Sequence, residues 1–289
     1  MKARLTLSIL LILSSLAGGW YWLHQNTLVP IPLTEGRELY VRANPEFNQD
    51  DALLEALLPG GPEVEAFLVA QSDLALIEKH PAGGWAGQLL AELEVSRHGR
   101  RWRLTLRPGW RMQDGSILAA PRVAAVLGPE VQKLGGEIRM NEPSTLILQF
   151  KTRPEDPVDH LSRWRIPGTG PFLRQGNTLR RFDGFTHGKA GIAGLAVVTD
   201  PALLQSRPWA EGLTARRWAW TVFPGKVTPE DMARVRTASY DELRLKDGRV
   251  WFLSRRMRRL RPDAEDWTRT RLFGVWKGAM DLPYDPLGL

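Results

Sequence analysis

The sequence predicts an α+β fold that is built from mixed β-sheets with short helices. Segments with strand-like alternation outnumber segments with helical periodicity. Three pairs of such segments are joined by turn residues in the manner of β-hairpins, over His98-Gly99, over residues 141–144 and over Lys246-Asp247-Gly248. The apolar segments of helical spacing are short and scattered between the strands, which favours mixed sheets over a helical bundle.

Each segment is assigned from its periodicity and its flanking turn residues. Apolar residues recur with helical spacing in residues 50–58, which end at Pro59-Gly60-Gly61-Pro62, and in Ala119–Leu127, where Pro121 fits the first turn. Residues 86–93 and 201–205 are also predicted to be short helices, and Thr228 is the expected cap of a helix over 229–235. The predicted strands are 38–42, 64–70, 93–96, 101–107, 136–140, 145–150, 172–174, 178–182, 192–198, 216–222, 243–245 and 250–253.

The second strand of the first hairpin shows the clearest alternation. Trp102, Leu104 and Leu106 fall on one face, and the intervening positions carry arginine and threonine. Because successive side chains of a strand point to opposite faces, the apolar set is predicted to lie in the core. Asp114-Gly115 is predicted to form a tight turn after this strand.

Composition excludes several functional classes. The chain has 289 residues, a formal net charge of +7, five histidines and no cysteine. Disulfides and thiolate chemistry are therefore excluded, and the histidine spacing does not favour a metal site. The arginine run between Arg255 and Arg261 is followed by Asp263, Glu265 and Asp266, with which it is expected to pair, so we interpret it as a solvated surface rather than a nucleic-acid site. The alternative is contact with anionic lipid headgroups if the N-terminal anchor is retained. No cofactor is expected.

The first residues form an export signal or a membrane anchor. Lys2 and Arg4 precede an apolar stretch, and Ser15 and Ala17 have the spacing that a signal peptidase accepts. Alternatively, Leu5–Leu23 is long enough to remain as a membrane helix, with Trp20–Trp22 at the far interface. Both alternatives place the rest of the chain in the periplasm or another extracytoplasmic space, soluble or anchored to the inner membrane.

The chain is divided into four parts by composition. Residues 1–23 are the signal or anchor, 24–36 a proline-containing tether, 37–280 the folded domain and 281–289 a loose tail. Catalysis is not expected, because the chain lacks a Gly-x-Ser-x-Gly elbow and a phosphate-binding loop. The carboxylate pairs Glu155/Asp156 and Glu230/Asp231 are adjacent in sequence and so point apart.

Two stretches resemble the family 5 extracellular solute-binding proteins, which are the oligopeptide, dipeptide and nickel binders of ABC importers. The first is LLAELEVSRHGRRWRLTLRPGWRMQDGSILAAPRVAAVL, and the second is IPGTGPFLRQGN, followed by GIAGLAVVTDP. The residues that carry the resemblance are Leu106, Arg107, Gly109, Asp114, Gly115, Ala120, Val123, Pro171, Asp200 and Pro201. The resemblance implies a type II periplasmic-binding-protein fold.

The resemblance covers residues 89–201, and family members are about twice as long as this chain. It therefore implies essentially one lobe of the two-lobe fold, with the second lobe missing or reduced. Pro121 and Arg122 also stand where the family usually carries an acidic pair. A single lobe offers an open face, so binding is expected to be weak unless a partner covers the ligand.

Five residues are candidates for ligand contact. Trp110 and Trp164 lie beside turns and could stack on a ligand, whereas Trp102, Trp218 and Trp251 are predicted to fill the core. Gly168, Thr169 and Gly170 form a loop that either contacts the ligand or serves as a rigid crossover. The expected partners are a short peptide and an ABC permease, with membrane contact through residues 5–23 if they are retained. The alternative is an anchored interaction module that has lost ligand binding.

Overall fold

A computed structural model describes residues 24–35, 53–58, 60–80, 83–188, 190 and 192–199, and the strand backbone of 218–223, 240–244 and 250–254. The helices with described bounds are α1 (Pro62–Ser72), α2 (Ala120–Lys133) and α3 (Pro157–Arg163), and residues 24–26 are also helical. The strands are β1 (Leu28–Ile31), β2 (Thr34–Glu35), β3 (Leu54–Leu57), β4 (Leu74–Ala75), β5 (Ile77–Lys79), β6 (Trp85–Gly87), β7 (Leu90–Ser96), β8 (Arg101–Leu106), β9 (Gly136–Glu142), β10 (Thr145–Phe150), β11 (Arg165–Ile166), β12 (Phe172–Gln175), β13 (Thr178–Arg181), β14 (Gly194–Val198), β15 (Trp218–Phe223), β16 (Tyr240–Arg244) and β17 (Val250–Ser254). The prediction of mixed sheets with short helices is confirmed.

The chain forms two compact units. The first comprises Met1–Glu35, Ala75–Trp110 and Leu118–Trp164, and the second comprises Gly36–Leu74, Arg111–Ile117 and Arg165–Leu289. Neither unit is a continuous stretch of the sequence, because the chain passes between them several times.

The first unit is built on a five-stranded antiparallel sheet in the order β1-β7-β8-β10-β9. The β7–β8 and β9–β10 hairpins of this sheet confirm the first two predicted hairpins. Trp102, Leu104 and Leu106 of β8 are at most 1 % exposed, so the predicted inward face is also confirmed. A smaller three-stranded sheet has the order β2-β6-β5.

Helix α2 covers one side of the first unit's sheet and packs on β9 and β10. Its buried residues are Ala120, Val123, Leu127 and Val131, which recur every three or four positions and so form one stripe. Pro121 lies in the first turn, where its missing N–H costs no helical hydrogen bond. The predicted helix is confirmed and extends to Lys133.

The second unit is built on a seven-stranded mixed sheet in the order β12-β13-β14-β3-β15-β17-β16. Strand β3 is parallel to both of its neighbours, β14 and β15, and the other pairs are antiparallel. Helix α1 packs on β12 and β13. Strands β4 and β11 form a separate two-stranded sheet.

Three predicted elements are wrong in type. Residues 50–58 were expected to be a helix, yet 54–57 form the central parallel strand β3, with Ala56, Leu57 and Leu58 fully buried. A parallel strand that is buried on both faces has a continuous apolar run, which a helical pattern resembles over so short a length. Residues 86–93, also a predicted helix, are divided between β6 and β7, where Gln88 and Leu89 donate backbone hydrogen bonds to the Leu76 carbonyl.

The predicted strand 64–70 is instead helix α1. Its buried residues include Val64, Phe67, Leu68 and Gln71, which follow the helical period. Pro62 occupies the first turn, and the acidic Glu63 and Glu65 follow it, which suits the positive end of the helix dipole. These start signals outweigh the β-branched and aromatic residues on which the strand prediction depended.

The tether predicted over 24–36 is partly wrong, because β1 lies within it. Strand β1 pairs with β7 from Leu28↔Ser96 to Ile31↔Leu93. Pro30 has no N–H to donate, and the edge of a sheet is where a strand tolerates that loss. A short strand that contains proline gives no periodic signal, so only its pairing with β7 reveals it.

Several predictions fall outside the described residues. These are the signal or anchor over 1–23, the strand over 38–42, the helices over 201–205 and 229–235, and the tail over 281–289. The third hairpin is confirmed by the backbone pairing of β16 with β17. No described helix is long and apolar enough to cross a membrane.

The turn of the first hairpin holds a histidine in one tautomer. The Arg100 backbone N–H donates to His98 Nδ1 at 3.1 Å, and Ser96 Oγ lies 2.7 Å from the same nitrogen. His98 Nε2 lies 3.0 Å from Asn26 Oδ1, to which it donates. Nδ1 accepts and Nε2 donates only in a neutral ring. Burial of the ring, and then the charge of Arg100, lower the pKa of His98 below the ordinary histidine value.

We predict that this turn makes folding stability depend on pH. The unfolded chain takes up a proton on His98 near pH 6.5, whereas the folded chain resists it, so stability falls as the pH drops from about 7 through 6. His98→Gln removes this contribution. The difference in melting temperature between the wild type and H98Q should therefore shrink between pH 7.5 and pH 5.5. His80→Gln in the same unit is the control, and an unchanged difference for H98Q would contradict the assigned tautomer.

Candidate functional site

The Gly-Thr-Gly-Pro loop follows strand β11 in the second unit and is held against the end of helix α1. The Thr169 side chain is 1 % exposed. Its hydroxyl accepts a hydrogen bond from the Leu74 backbone N–H at 2.9 Å and donates one to the Ile166 carbonyl at 2.6 Å. Thr169 therefore joins two segments that are about 95 residues apart in sequence.

The two glycines of the loop meet the same helix end. The Gly168 N–H donates to the Asp73 carboxylate at 3.0 Å, and the Gly170 N–H donates to the Ser72 carbonyl at 2.8 Å. A Cβ at Gly170 would lie 2.5 Å from the Gln71 carbonyl oxygen and 2.6 Å from the Ser72 carbonyl carbon. This close approach of two backbones explains why glycine stands at position 170.

Gln113 connects the loop to the Asp114-Gly115 turn. Its side-chain nitrogen donates to three carbonyl oxygens, those of Ser72 at 3.1 Å, Gly170 at 3.0 Å and Phe172 at 2.7 Å. The Gln113 backbone N–H also donates to the Gly168 carbonyl at 2.9 Å. One side chain thus joins the end of α1, the loop and the start of β12.

The predicted turn over Asp114-Gly115 is confirmed. Gly115 has a φ of 83°, and the Asp114 carboxylate accepts hydrogen bonds from the Ser116 N–H and hydroxyl. Arg111 and Ile117 form an antiparallel bridge across its base. The side chains from Asp114 to Ile117 are exposed, and Pro167 on the loop is exposed as well. These residues form an accessible rim next to the loop. The polar groups of the loop itself are engaged in hydrogen bonds within the protein.

The two tryptophan candidates lie in the first unit and differ in burial. Trp110 is fully buried, so it presents no surface to a ligand in this conformation. Trp164 is half-buried at the end of α3, with its ring centroid 5.6 Å from that of His160 and 6.3 Å from that of Trp102. Trp102 is fully buried, as predicted for a core residue. The side chains of Trp218 and Trp251 are outside the described residues.

The remaining motif residues within the first unit support its sheet. Arg107 donates two hydrogen bonds from its guanidinium to the Gly87 carbonyl, at 3.2 and 3.0 Å. Burial lowers the pKa of Arg107, although arginine stays charged at any physiological pH. Leu106, Ala120 and Val123 are buried in the core, and Gly109 takes a positive φ in the turn after β8.

Pro171 is the buried end of the Gly-Thr-Gly-Pro loop, and its carbonyl accepts a hydrogen bond from the Phe182 N–H. Asp200 and Pro201 are outside the described residues. The site therefore brings Gly168, Thr169, Gly170 and Pro171 together with Asp114 and Gly115 in one unit.

An ion pair fixes the other end of α1 to β12. The Arg174 guanidinium binds the Glu65 carboxylate through two hydrogen bonds of 2.6 Å. The hydrogen bond from Arg174 lowers the pKa of Glu65, and the same bond raises the pKa of Arg174. Because the Glu65 side chain is exposed, the pair adds little to stability, and its geometry mainly sets where α1 packs.

Sequence reasoning missed Gln113 and Asp73, which hold the loop. Gln113 lies next to the Asp114-Gly115 turn, but nothing in its local pattern indicates three distant carbonyl partners. Within the described part of the chain, no group of three or more histidine, aspartate or glutamate side chains could hold a metal ion. The loop and the Asp114-Gly115 turn offer hydrogen-bonding groups at the surface of the second unit.

No protein-family model and no curated protein matches the chain. Solved structures do match. NikA from Brucella suis in complex with Fe(III)-EDTA superposes with a TM-score of 0.55 at 16% identity, over 66% of this chain and 48% of NikA. The chain has the fold of an ABC-transporter substrate-binding protein.

Two further substrate-binding proteins show the same fold. MoaA from A. tumefaciens R10, in complex with mannopinic acid, has a TM-score of 0.55 at 13% identity over 67% of this chain and 49% of MoaA. CtaP from Listeria monocytogenes, an ABC transporter substrate-binding protein, has a TM-score of 0.52 at 14% identity over 67% of this chain and 48% of CtaP. The fold implied by the two motif stretches is confirmed.

The chain spans about half the length of each substrate-binding protein that it matches. This agrees with the prediction of essentially one lobe of the type II periplasmic-binding-protein fold. The likeness extends well beyond the motif region, because it covers about two thirds of the chain.

We predict that Gln113→Leu destabilises the protein by about 2 kcal/mol. The leucine is similar in size but removes the side-chain donor of the Gly170 and Phe172 carbonyl oxygens, while the Ser72 carbonyl keeps the Gly170 N–H. A buried unsatisfied group costs roughly 1–3 kcal/mol. Urea unfolding of Q113L against the wild type measures the change. Gln175→Leu, at an exposed position of β12, is the matched control and should change stability by less than about 0.5 kcal/mol.

We also predict unequal effects for two glycine-to-alanine changes. Gly170→Ala forces a methyl group against the end of α1 and should destabilise the protein by about 1–3 kcal/mol. Gly128→Ala lies within α2 with open space around the new methyl group, but Pro129 follows it and disfavours helical backbone in a preceding residue with a Cβ, which offsets the gain in helix propensity, so the change in stability should be less than about 1 kcal/mol. Melting temperatures measure both. Equal tolerance of both changes would show that the loop and α1 are not in close contact.

Proposed function

We propose that the chain is an exported, non-catalytic solute-binding component of an ABC-type uptake system. The observation that carries this proposal is the shared fold with substrate-binding proteins such as NikA, at a TM-score of 0.55. The order of the motif residues from Leu106 to Pro171 supports it independently of the superposition. The apolar N-terminal stretch supports a location outside the cytoplasmic membrane.

We propose a short peptide as the ligand class. The support is the resemblance of the Gly-Thr-Gly-Pro loop and of the region around Asp114-Gly115 to the peptide- and nickel-binding family. The structural neighbours bind other small solutes, since NikA holds Fe(III)-EDTA and MoaA holds mannopinic acid. A metal chelate and an opine are therefore the comparison ligands against which peptide selectivity is measured.

Among the five candidate residues, burial assigns two different roles. In the first unit, Trp164 is half-buried and can stack on a ligand, whereas Trp110 is buried and supports the core. In the second unit, Gly168 at the loop surface can approach a ligand with its backbone, and the buried Thr169 and Gly170 support the loop from below. Since the matched part corresponds to about half of a neighbour, we expect weak binding that a permease or another partner strengthens by covering the ligand.

The proposal predicts concentration-dependent thermal stabilisation by peptides. A ligand at ten times its dissociation constant stabilises the folded state by about 1.4 kcal/mol. Di- to pentapeptides, Fe(III)-EDTA and mannopinic acid are tested up to millimolar concentrations. Peptides are expected to raise the melting temperature, and Trp164→Leu should reduce that shift at least threefold.

Trp85→Leu is the matched control, because Trp85 is also half-buried in the first unit but lies on β6. This variant should retain the peptide-induced shift. A shift with the chelate or the opine alone would reject the peptide class and keep the binding function. No shift with any ligand, together with a protein retained in membranes, would reject the proposal in favour of an anchored interaction module.

A further inference from the structure

A cluster of basic side chains lies at one end of the five-stranded sheet. Arg97 and Arg100 belong to the β7–β8 turn, and Lys151 and Arg153 follow β10; all four side chains are exposed. The Phe150 N–H donates to the Arg100 carbonyl at 2.9 Å, and Arg100 Nη1 lies 3.5 Å from the Lys151 carbonyl oxygen. We call these four residues the basic end patch.

Gly99 allows the two segments of the patch to approach. It has a φ of 72° and is buried, and a Cβ at this position would lie 2.8 to 3.0 Å from the Arg153 side chain. The Arg153 side chain therefore lies across the turn that carries Arg97 and Arg100. This packing gathers the positive charges although like charges repel at this range.

The charges of the patch are not neutralised by neighbouring carboxylates of the described residues. The ion pairs of the first unit are made by other basic residues, such as Arg103 with Glu94 and Lys133 with Glu130. Glu155 and Asp156 follow Arg153 and line a surface groove with it, and Asp156 caps α3 through the Val158 N–H. The patch has four positively charged side chains, and only two carboxylates flank it. An excess of positive charge therefore faces the solvent.

The patch contacts residues 24–27, which directly follow the N-terminal apolar stretch in the sequence. Arg97 Nη1 lies 2.7 Å from His24 Nε2, and because arginine only donates, the ring nitrogen accepts. The His98 N–H donates to the Gln25 carbonyl, and the Arg97 N–H donates to the Thr27 carbonyl. These bonds fix residues 24–27 on the turn.

Covalent geometry limits how far the patch can lie from a bilayer. His24 follows Trp22 by two residues, which span at most about 7 Å when fully extended. If Leu5–Leu23 crosses the membrane, Trp20–Trp22 lie at the interface, and the basic end patch is within about one Debye length of the headgroups. Anionic lipids attract lysine and arginine at that distance.

We propose that the basic end patch binds the anionic headgroups of the membrane that holds the N-terminal stretch. The proposal rests on the extracytoplasmic, anchored location and is independent of the ligand. The contact would orient the first unit on the bilayer surface, with the β7–β8 turn toward the lipid and the Pro143-Ser144 turn, about 17 Å away along β10, directed away from it.

The absence of cysteine permits a direct test with a single label. Thr152→Cys places a fluorophore within the patch, and Ser144→Cys places the same fluorophore at the opposite end of the sheet. The full chain is made by cell-free synthesis into nanodiscs, where no signal peptidase removes residues 1–23. The nanodiscs contain phosphatidylcholine alone or with phosphatidylglycerol, and a headgroup spin label quenches the fluorophore.

Quenching at position 152 is expected to be at least twofold greater with phosphatidylglycerol than with phosphatidylcholine alone, and to lose that excess in 0.5 M salt, because screening weakens exposed charge interactions. Quenching at position 144 should be low in both lipids. Arg100→Gln with Lys151→Gln should abolish the excess. The matched double variant Lys79→Gln with Arg122→Gln removes two charges elsewhere in the first unit and should retain it.

Equal quenching at position 152 in the two lipids, or equal quenching at positions 152 and 144, would overturn the proposal. If the patch variant fails to fold, the salt titration of the wild type still tests the proposal. Excess quenching at position 152 that persists in 0.5 M salt is not electrostatic and would also overturn it. Patch-dependent binding of a labelled duplex oligonucleotide, without any difference between the lipids, would instead indicate a nucleic-acid surface. Peptide-induced thermal stabilisation is measured separately. A failure of the ligand proposal can therefore be distinguished from a failure of the membrane-contact proposal.

Discussion

The second unit depends on the attachment of the Gly-Thr-Gly-Pro loop to the C-terminal end of helix α1. A helix end leaves carbonyl groups without intrahelical partners, and burying them without donors is costly. Here the Ser72 carbonyl accepts from Gly170 and from Gln113, while the Leu74 N–H is satisfied by Thr169. The loop thus completes the helix end, and the helix end fixes the loop. Neither segment can move without leaving buried polar groups unpaired.

This arrangement explains why the motif that resembles a ligand loop is largely buried. Such a loop can contact a ligand or join two structural elements. The hydrogen bonds of Thr169 show that this loop joins two elements. Joining two elements is compatible with ligand binding. A rigidly held loop loses little conformational entropy when a ligand binds, so rigid support favours affinity. The accessible rim from Asp114 to Ile117, with Pro167, is placed by the same bonds.

The first unit follows a different principle, in which one antiparallel sheet organises everything around it. Its inward face is filled by Trp102 and its neighbours and covered by α2, so its position is set by burial of apolar area. Its polar end collects the β7–β8 turn, residues 24–27 and the segment after β10. That end carries exposed positive charge on both sides of His98, which is an arrangement suited to a charged surface outside the protein rather than to a packed interior.

Elements whose pattern is local can be predicted from the amino-acid sequence. The alternation in β8, the turn at Asp114-Gly115 and the apolar stripe of α2 each follow from spacing within a few residues, and the ordered motifs implied the type II binding-protein fold that the solved structures confirm. Strands β1 and β3, in contrast, form only because the folded chain supplies their partners. Strand β1 exists because β7 offers a partner, and β3 is a strand because two parallel neighbours pair with both of its edges. Such choices depend on contacts between residues far apart in the chain, and local propensity is too weak to determine them. For the same reason, the three carbonyl partners of Gln113 could be known only once the chain had folded.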